Sequence, residues 1–195
     1  MVVSTVSGTN LLDGMAREYR VRLCRTPVGF KHIARLMRSH RVLFGGEESG
    51  GFGFLGCVPE RDGILAGLLI LEMMAMRRQD LGTILRQMRS RFGQWVFERA
   101  DLPLGRPVPP EWLDRWARSP AARSLQAGPH NPVSEIHRID GTKGFFSDRS
   151  WLLLRPSGTE PLLRIYAEAR TAGQLRRILR IGRQVRRRRR AAGTG

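Results

Sequence analysis

Cysteine, acidic side chains and long uncharged apolar runs are all scarce in this sequence. The two cysteines, Cys24 and Cys57, have no metal-ligand spacing and favour free thiols over a disulfide. The longest apolar stretch, residues 64–76, is interrupted by Gly67 and Glu72, so it falls short of a membrane span of roughly 20 residues and predicts a buried helix. The first residues carry no basic flank followed by a long apolar run, so no secretory signal is visible and a cytoplasmic location is predicted.

Basic residues, in contrast, are abundant. Lys and Arg total 34 against 17 Asp and Glu, which gives a formal net charge of +17. Such a balance attracts anions, but basicity alone does not decide between nucleic acid, membrane headgroups and phosphorylated metabolites. With 195 residues and 41% hydrophobic content, the chain is long enough to bury the core of one large domain or two small ones.

Short strands and helices alternate in the first part of the chain. Apolar runs at 2–6, 21–24 and 41–44 predict strands, and helical spacing of apolar residues returns between them. Two further helices follow, each preceded by an aspartate that can act as its N-cap. This alternation predicts an α/β domain with an open sheet over residues 1–125.

The rest of the chain has a different pattern. Prolines and a lack of periodicity predict a connection at 101–110, and a short helix is predicted at 111–125. Four strand-like runs separated by turns then follow, at 133–139, 144–146, 151–155 and 162–167. A final helix begins at about Thr171, so residues 126–195 are predicted to form a small α+β domain with an antiparallel sheet.

The heptapeptide Arg-Pro-Ser-Gly-Thr-Glu-Pro, which begins at Arg155, lies between two of these predicted strands. A phosphate dianion needs several converging donors, and Arg155 offers a bidentate fork. Ser157 and Thr159 add hydroxyl groups, and Gly158 lets backbone N–H groups approach an anion closely. The segment is therefore a candidate phosphate-binding loop.

Two charged residues near this loop allow different interpretations of its structure. Arg164 follows the loop at the start of a predicted strand and supplies a second positive charge. Glu160 allows a different structure, a β-turn held by a salt bridge between Arg155 and Glu160. The spacing alone leaves both alternatives open.

A second candidate loop occupies residues 45–54, with five glycines, two carboxylates and a hydroxyl after a predicted strand. A carboxylate such as Glu47 accepts hydrogen bonds from two adjacent sugar hydroxyls, and Ser49 donates or accepts as needed. The paired charges of Glu47 and Glu48 repel an anion, which argues against a phosphate cradle here. An acidic surface loop is the alternative.

Four segments in this order resemble parts of the third and fourth domains of phosphohexomutases of the phosphoglucomutase/phosphomannomutase kind. They are Gly-Phe-Lys-His-Ile at 29–33, Gly-Glu-Glu-Ser-Gly-Gly at 46–51, Arg-Asp-Gly-Ile at 61–64, and Trp-Leu-Leu-Leu-Arg-Pro-Ser-Gly-Thr-Glu-Pro-Leu-Leu-Arg-Ile-Tyr-Ala-Glu at 151–168. The resemblance covers residues 2–168, weakly between 92 and 132. It implies an α/β domain with an open mixed sheet, followed by a small antiparallel α+β domain.

The resemblance also implies residue roles. Glu47 and Ser49 would bind sugar hydroxyls, and Lys31 and His32 lie in a further substrate-facing segment of the family. The phosphate already on the sugar would be held by the following group: Arg155, Ser157, Gly158, Thr159 and Arg164. The two loops are expected to face a shared cleft that binds a hexose phosphate. Glucose and mannose phosphates are not distinguished, although the Glu-Glu-Ser-Gly-Gly variant favours glucose.

The family's reaction uses a phosphoserine, magnesium and a bisphosphorylated hexose. Its serine loop, Thr-Ala-Ser-His-Asn-Pro, and its metal loop, Asp-Gly-Asp-Gly-Asp-Arg, are absent from this sequence, and Pro-His-Asn-Pro at 129–132 has proline where the nucleophile would stand. No catalytic residue and no metal ligand is therefore expected in this chain, which would be inactive alone and would need the missing N-terminal half in trans. A truncated gene product, a misplaced start and a frameshift all stay open.

The final predicted helix supports a rival function. Its arginines are Arg176, Arg177, Arg180, Arg183 and the run 186–190. Such a helix favours weak, nonspecific, salt-sensitive binding of RNA or another anion, because each arginine can neutralise a phosphate. Aromatic residues for base stacking are absent from this stretch, which argues against specific readout, and no membrane partner is expected.

Overall fold

The computed structural model describes residues 1–105, 109–158 and 160–191. The chain forms two compact units, of which the first is Met1–Gln94 and the second begins at Trp95. Strands and helices alternate in the first unit: β1 (Val2–Thr5), α1 (Leu11–Glu18), β2 (Leu23–Thr26), α2 (Phe30–Ser39), β3 (Phe44–Gly46), β4 (Phe52–Phe54), α3 (Gly63–Arg77) and α4 (Leu81–Phe92).

The first unit contains a four-stranded mixed sheet. Its strand order is β2-β1-β3-β4, with β1 parallel to β2 and β3, and β4 antiparallel to β3. Helix α2 packs on this sheet through Phe30, Ile33 and Ala34, which are buried together with Val3 and Val42. The predicted α/β domain with an open mixed sheet is therefore confirmed.

Strand β4 lies inside the glycine-rich stretch that the sequence predicts as a loop, and for these residues that prediction is wrong. Phe52 and Phe54 lie beside Phe44, with ring centroids 5.6 and 5.7 Å away. A Cβ at Gly46 would lie 2.9 Å from the rings of Phe44 and Phe52, so the aromatic side chains fit because this position is glycine. The glycines make room for a tight antiparallel pair.

Two aspartates cap helices of the first unit, as predicted. Asp62 Oδ1 accepts a hydrogen bond from the Leu65 N–H at 2.8 Å, and Asp80 Oδ1 accepts one from the Thr83 N–H at 2.9 Å. Each carboxylate satisfies an N–H group that a helix leaves unpaired in its first turn, which is why α3 and α4 begin where they do.

Helix α3 is not buried, contrary to the prediction. Ala66 is its buried residue, whereas Ile64 and Met76 are 81% and 80% exposed. The helix is apolar nearly all the way round and packs along β4, so its own unit covers one side only. Across the part of the chain that the structure describes, no helix is long and apolar enough to cross a membrane.

The second unit places most of its strands before one long helix. Its elements are β5 (Val96–Pro103), α5 (Pro110–Arg118), α6 (Pro120–Arg123), β6 (Val133–His137), β7 (Thr142–Phe146), β8 (Trp151–Pro156), β9 (Leu162–Ala169) and α7 (Ala172–Ala191). The strands form one antiparallel sheet in the order β5-β9-β8-β7-β6. The predicted α+β domain with an antiparallel sheet is confirmed.

Strand β5 explains why the division between units differs from the boundary predicted at residue 125. It pairs with β9 along its whole length, from Val96 opposite Ala169 to Pro103 opposite Leu162. The prolines after residue 100 suggest a connection, but β5 is an edge strand, where a missing N–H is tolerated. These residues therefore belong to the second sheet.

Helix α7 covers one face of the second sheet. Leu175 and Ile178 are buried against Leu152 and Ile165, and a Cβ at Gly182 would lie only 2.7 Å from Ile165 Cγ2. Successive side chains of a strand alternate between faces. The neighbours of these core residues along β8 and β9 therefore project from the opposite face, where the candidate phosphate-binding arginines lie.

Candidate functional site

Two arginines lie opposite each other on neighbouring strands at one end of the second sheet. Arg155, near the end of β8, is in register with Arg164, near the start of β9. Directly opposed residues of an antiparallel pair project from the same face with Cβ atoms about 5 Å apart, and like charges there repel. Negative charge close by offsets this repulsion.

Acidic side chains supply part of that negative charge. Arg155 Nε donates to Asp140 Oδ2 at 2.7 Å, and the two side chains are 18% and 22% exposed. Arg164 Nη2 lies 3.5 Å from Glu160 Oε2, and Arg164 Nε is buried without a hydrogen-bond partner among the described residues. Glu160 thus pairs with Arg164, and the alternative salt bridge between Arg155 and Glu160 is not the one that forms.

The turn between β8 and β9 holds the predicted hydroxyl and glycine beside the two arginines. The Ser157 N–H donates to Leu162 O at 3.0 Å, and Ser157 Oγ accepts from the Glu160 N–H at 3.2 Å. Gly158 is exposed, and a Cβ placed on it would meet nothing within 4 Å. Thr159 lies outside the described residues. The backbone at Gly158 therefore faces open space.

Glu47, the predicted sugar-binding carboxylate, lies where β3 ends. It is 9% exposed, and its Oε1 accepts a hydrogen bond from the Gly29 N–H at 3.1 Å. Burial raises the pKa of Glu47; the Gly29 N–H opposes this rise and the charge of Glu48 adds to it, with a net upward shift. The Glu47 carboxylate accepts hydrogen bonds when ionised, and the carboxyl group can also donate one when protonated.

The other predicted sugar-binding residues lie in the same loop and in the adjoining one. Ser49 is exposed in the turn that the Glu47 N–H closes by donating to Gly51 O at 3.0 Å. Lys31 is exposed and His32 is half-buried in the first turn of α2, directly after Gly29. The hydrogen bond between Gly29 and Glu47 therefore joins the two loops that carry these side chains.

Glu48, to which the sequence assigns no role of its own, holds the glycine-rich loop against the sheet. Its Oε2 accepts hydrogen bonds from Ser7 Oγ at 2.6 Å and Thr5 Oγ1 at 3.2 Å, and both hydroxyl residues are fully buried. Hydroxyls two positions apart at a strand end lie on one side of the chain, which is a signal that could have predicted a shared acidic partner.

Arg61 and Asp140 also stand beside the candidate loops. The Arg61 guanidinium lies 5.7 Å from the centre of the Phe30 ring, and a Cβ at Gly51 would lie 2.6 Å from Arg61 Cδ. In the sequence Asp140 is an isolated Asp-Gly turn, yet it forms the ion pair with Arg155. Both contacts join distant parts of the chain, and no local pattern predicts them.

The residues described here do not fit a magnesium site. Within 1–105, 109–158 and 160–191, no three His, Cys, Asp or Glu side chains gather in a group that could hold a metal ion. Any contribution of magnesium to a reaction would therefore need ligands other than these residues.

Along the chain, a mixed α/β sheet thus precedes an antiparallel sheet with paired arginines beside a turn. Family models match both parts of the chain: phosphoglucomutase/phosphomannomutase, alpha/beta/alpha domain III, at residues 1–92, and the phosphoglucomutase/phosphomannomutase C-terminal domain at residues 108–181. The chain belongs to the phosphoglucomutase/phosphomannomutase family.

Individual relatives agree with this assignment. The chain is 33% identical to a phosphoglucomutase of Komagataeibacter xylinus, over 91% of this chain and 34% of the relative. It is 30% identical to a phosphoglucosamine mutase of Solidesulfovibrio magneticus, over 88% of this chain and 33% of the relative. The crystal structure of a candidate phosphomannomutase from Thermus thermophilus superposes with a TM-score of 0.73 at 30% identity, covering 94% of this chain and 36% of that one. The chain thus spans about a third of the length of these relatives.

Proposed function

We propose that this chain is the substrate-binding part of a sugar-phosphate mutase and that it holds a hexose phosphate. The observation that carries the proposal is the register pairing of Arg155 with Arg164 beside the turn of Ser157 and Gly158. Two guanidinium groups on one face, a hydroxyl and an unobstructed backbone are what a phosphate dianion requires. The names of the relatives, phosphoglucomutase and phosphoglucosamine mutase, support the same class of ligand.

In this proposal the phosphate-binding groups of the loop have distinct roles. Arg155 donates hydrogen bonds to two phosphate oxygens. Arg164 supplies the second positive charge, and its Nε lacks a hydrogen-bond partner among the described residues. The hydroxyls of Ser157 and Thr159 donate to the remaining oxygen. Gly158 lets the backbone N–H groups reach the anion.

The loops around Glu47 bind the sugar. Glu47 and Ser49 take the sugar hydroxyls, with Lys31 and His32 as further contacts. The buried carboxyl of Glu47 is fixed by the Gly29 N–H, so it can select a hydroxyl geometry without first losing side-chain freedom. Glucose phosphates are the first ligands to test, followed by mannose and glucosamine phosphates.

We further propose that the chain binds its substrate but does not transfer phosphoryl groups by itself. The sequence contains neither the family's serine loop nor its Asp-Gly-Asp-Gly-Asp-Arg loop. In this proposal the nucleophile and the metal ligands come from the N-terminal half of a mutase, which the test supplies in trans. A mixture of this chain with a separately produced N-terminal half should convert glucose 1-phosphate, whereas each part alone should not.

Calorimetric titration with glucose 6-phosphate tests the binding proposal. Arg155→Ala removes charged hydrogen bonds of about 1.5–3 kcal/mol, so the affinity should fall roughly 10-fold to 150-fold. Arg123→Ala is the matched control, since Arg123 is exposed on α6 and its loss changes the net charge equally. Equal affinities of the wild type and Arg155→Ala would sink the proposal.

A second function, binding of a nucleic acid, is favoured by one observation on α7. Arg176, Arg180 and Arg183 are exposed on this helix, and its arginine-rich end continues past residue 181, where the family match stops. The apolar side of α7 is buried against the sheet, so it is not free to enter a membrane.

Fluorescence anisotropy with a labelled single-stranded oligonucleotide tests this second function. If the arginines neutralise phosphates, affinity should fall steeply as salt rises, by a slope of about −0.7 per phosphate contact on a log–log plot. A variant that ends at Gly182 should lose this binding and keep its affinity for glucose 6-phosphate. Unchanged oligonucleotide binding by the shortened chain would rule out the arginines that follow Gly182 as the binding element.

A further inference from the structure

The contact between Arg155 and Asp140 has a geometry that matters for the ligand. Among the described residues, Arg155 donates through Nε to Asp140 Oδ2 at 2.7 Å. A guanidinium that donates through Nε is planar, and the end-on edge formed by its two terminal nitrogens points about 120° away from the Nε–H bond, so that edge can still face a second anion. Those terminal nitrogens are the pair that forms a bidentate fork with phosphate.

Close backbone packing at Gly141 also restricts the position of Asp140. Gly141 has φ +78°, and a Cβ there would lie 2.3 Å from Leu154 O and 3.0 Å from Arg155 Cα. The turn between β6 and β7 therefore lies directly against β8 at Arg155, at a distance that only glycine permits. The backbone that carries Asp140 is thus fixed relative to the backbone that carries Arg155.

The partial burial of the pair makes the contact more than a surface ion pair. The side chains of Arg155 and Asp140 are 18% and 22% exposed, whereas the nearby pair of Arg99 and Asp101 is 39% and 38% exposed. Exposed pairs contribute little because water and salt screen them, and screening weakens as the pair is buried. Asp140 also offsets the repulsion between Arg155 and Arg164, which lie opposite each other.

We propose that Asp140, set by Gly141, is a positioning residue that holds the Arg155 guanidinium in the orientation needed to grip the ligand's phosphate. The inference rests on the proposed function, because it assigns Asp140 a role at the same phosphate site. If Asp140 has this role, removing its negative charge weakens the binding of the anion, although a negative charge beside an anion site normally repels the anion.

The test is the affinity of folded variants for glucose 6-phosphate, measured by calorimetry below the unfolding temperature of each variant. Asp140→Ala should weaken binding about twofold to tenfold, the range expected when one flexible side chain must be ordered by the ligand. Asp140→Asn keeps an oxygen that accepts from Arg155 Nε, so it should bind more tightly than Asp140→Ala. Asp101→Ala is the matched control, because it removes the same charge near Arg164 without touching Arg155, and it should bind as tightly as the wild type or more tightly.

These measurements distinguish an error in the positioning role of Asp140 from an error in the proposed function. If the wild type binds, Arg155→Ala does not, and Asp140→Ala binds as well as or better than the wild type, the positioning role is wrong and the proposed function stands. If the wild type shows no binding, both fall. If Asp140→Ala does not fold, Asp140→Asn decides the question, because affinity above that of the wild type would mean that the carboxylate only repels the ligand.

Discussion

Gly158 offers a test that separates binding from folding. Its backbone does not need glycine, since its φ lies outside the left-handed region and an added Cβ would meet nothing within 4 Å. Gly158→Ala should therefore leave the free energy of unfolding unchanged or raise it by up to about 1 kcal/mol, because alanine reduces the freedom of the unfolded chain. The folded protein alone gives no reason for a glycine at this position.

A bound phosphate would supply that reason. A methyl group at this position would hold the anion away from the backbone N–H groups, and the loss of one or two charged hydrogen bonds of about 1.5–3 kcal/mol each predicts binding weaker by roughly 10-fold or more. The assay pairs urea unfolding with calorimetric titration of glucose 6-phosphate. Gly67→Ala, in exposed α3 with open space around it, is the control that should gain stability without a change in affinity. Unchanged affinity of Gly158→Ala would refute the close approach of phosphate to this turn.

Three other predictions concern stability. Gly141→Ala should lower the free energy of unfolding by about 2–4 kcal/mol, because the left-handed backbone costs about 1–2 kcal/mol and a Cβ would meet Leu154 O; a loss under about 1 kcal/mol in urea unfolding would contradict this. Burial raises the pKa of Glu47, so the protonated carboxyl stabilises the folded wild type below the ordinary pKa of 4.5, and this stabilisation is lost as pH rises through the raised pKa. Glutamine does not titrate, so Glu47→Gln should gain stability relative to wild type between about pH 4 and pH 7. A constant difference in urea midpoint over that range would argue against it. Asp80→Ala should cost about 1 kcal/mol through the lost cap of α4, and no change in thermal unfolding would count against that role.

Much of the fold could be predicted because its signals are local. Periodicity places α2, and the capping carboxylates of Asp62 and Asp80 mark where α3 and α4 begin. Strand β4 is hidden because the glycines around it suggest a loop, whereas Gly46 in the paired strand β3 makes room for the rings of Phe44 and Phe52. Strand β5 is hidden because its partner β9 is distant in sequence, and the exposure of α3 depends on packing that the apolar pattern cannot report.

In the candidate site, too, local sequence predicts some residues, whereas contacts between distant segments could not be predicted. Arg155 and Ser157 are candidates from the sequence because their short segment concentrates donors and a glycine, the groups that a phosphate site needs. The partner of Arg155 could not be predicted, since Asp140 reaches it from the turn between β6 and β7, and Glu160, the acid closer in sequence, pairs with Arg164 instead. The hydrogen bonds that Glu48 accepts from Thr5 and Ser7, at the end of β1, likewise join distant segments.

The most direct test of the central claim is phosphorus NMR of the chain with glucose 1-phosphate, magnesium and a trace of glucose 1,6-bisphosphate, because one spectrum reports binding and conversion together. The account predicts that the substrate signal shifts or broadens with the wild type and with Arg123→Ala, that it does neither with Arg155→Ala, and that no glucose 6-phosphate forms. Formation of glucose 6-phosphate in proportion to protein, or a substrate signal that the wild type leaves unchanged, would contradict the account.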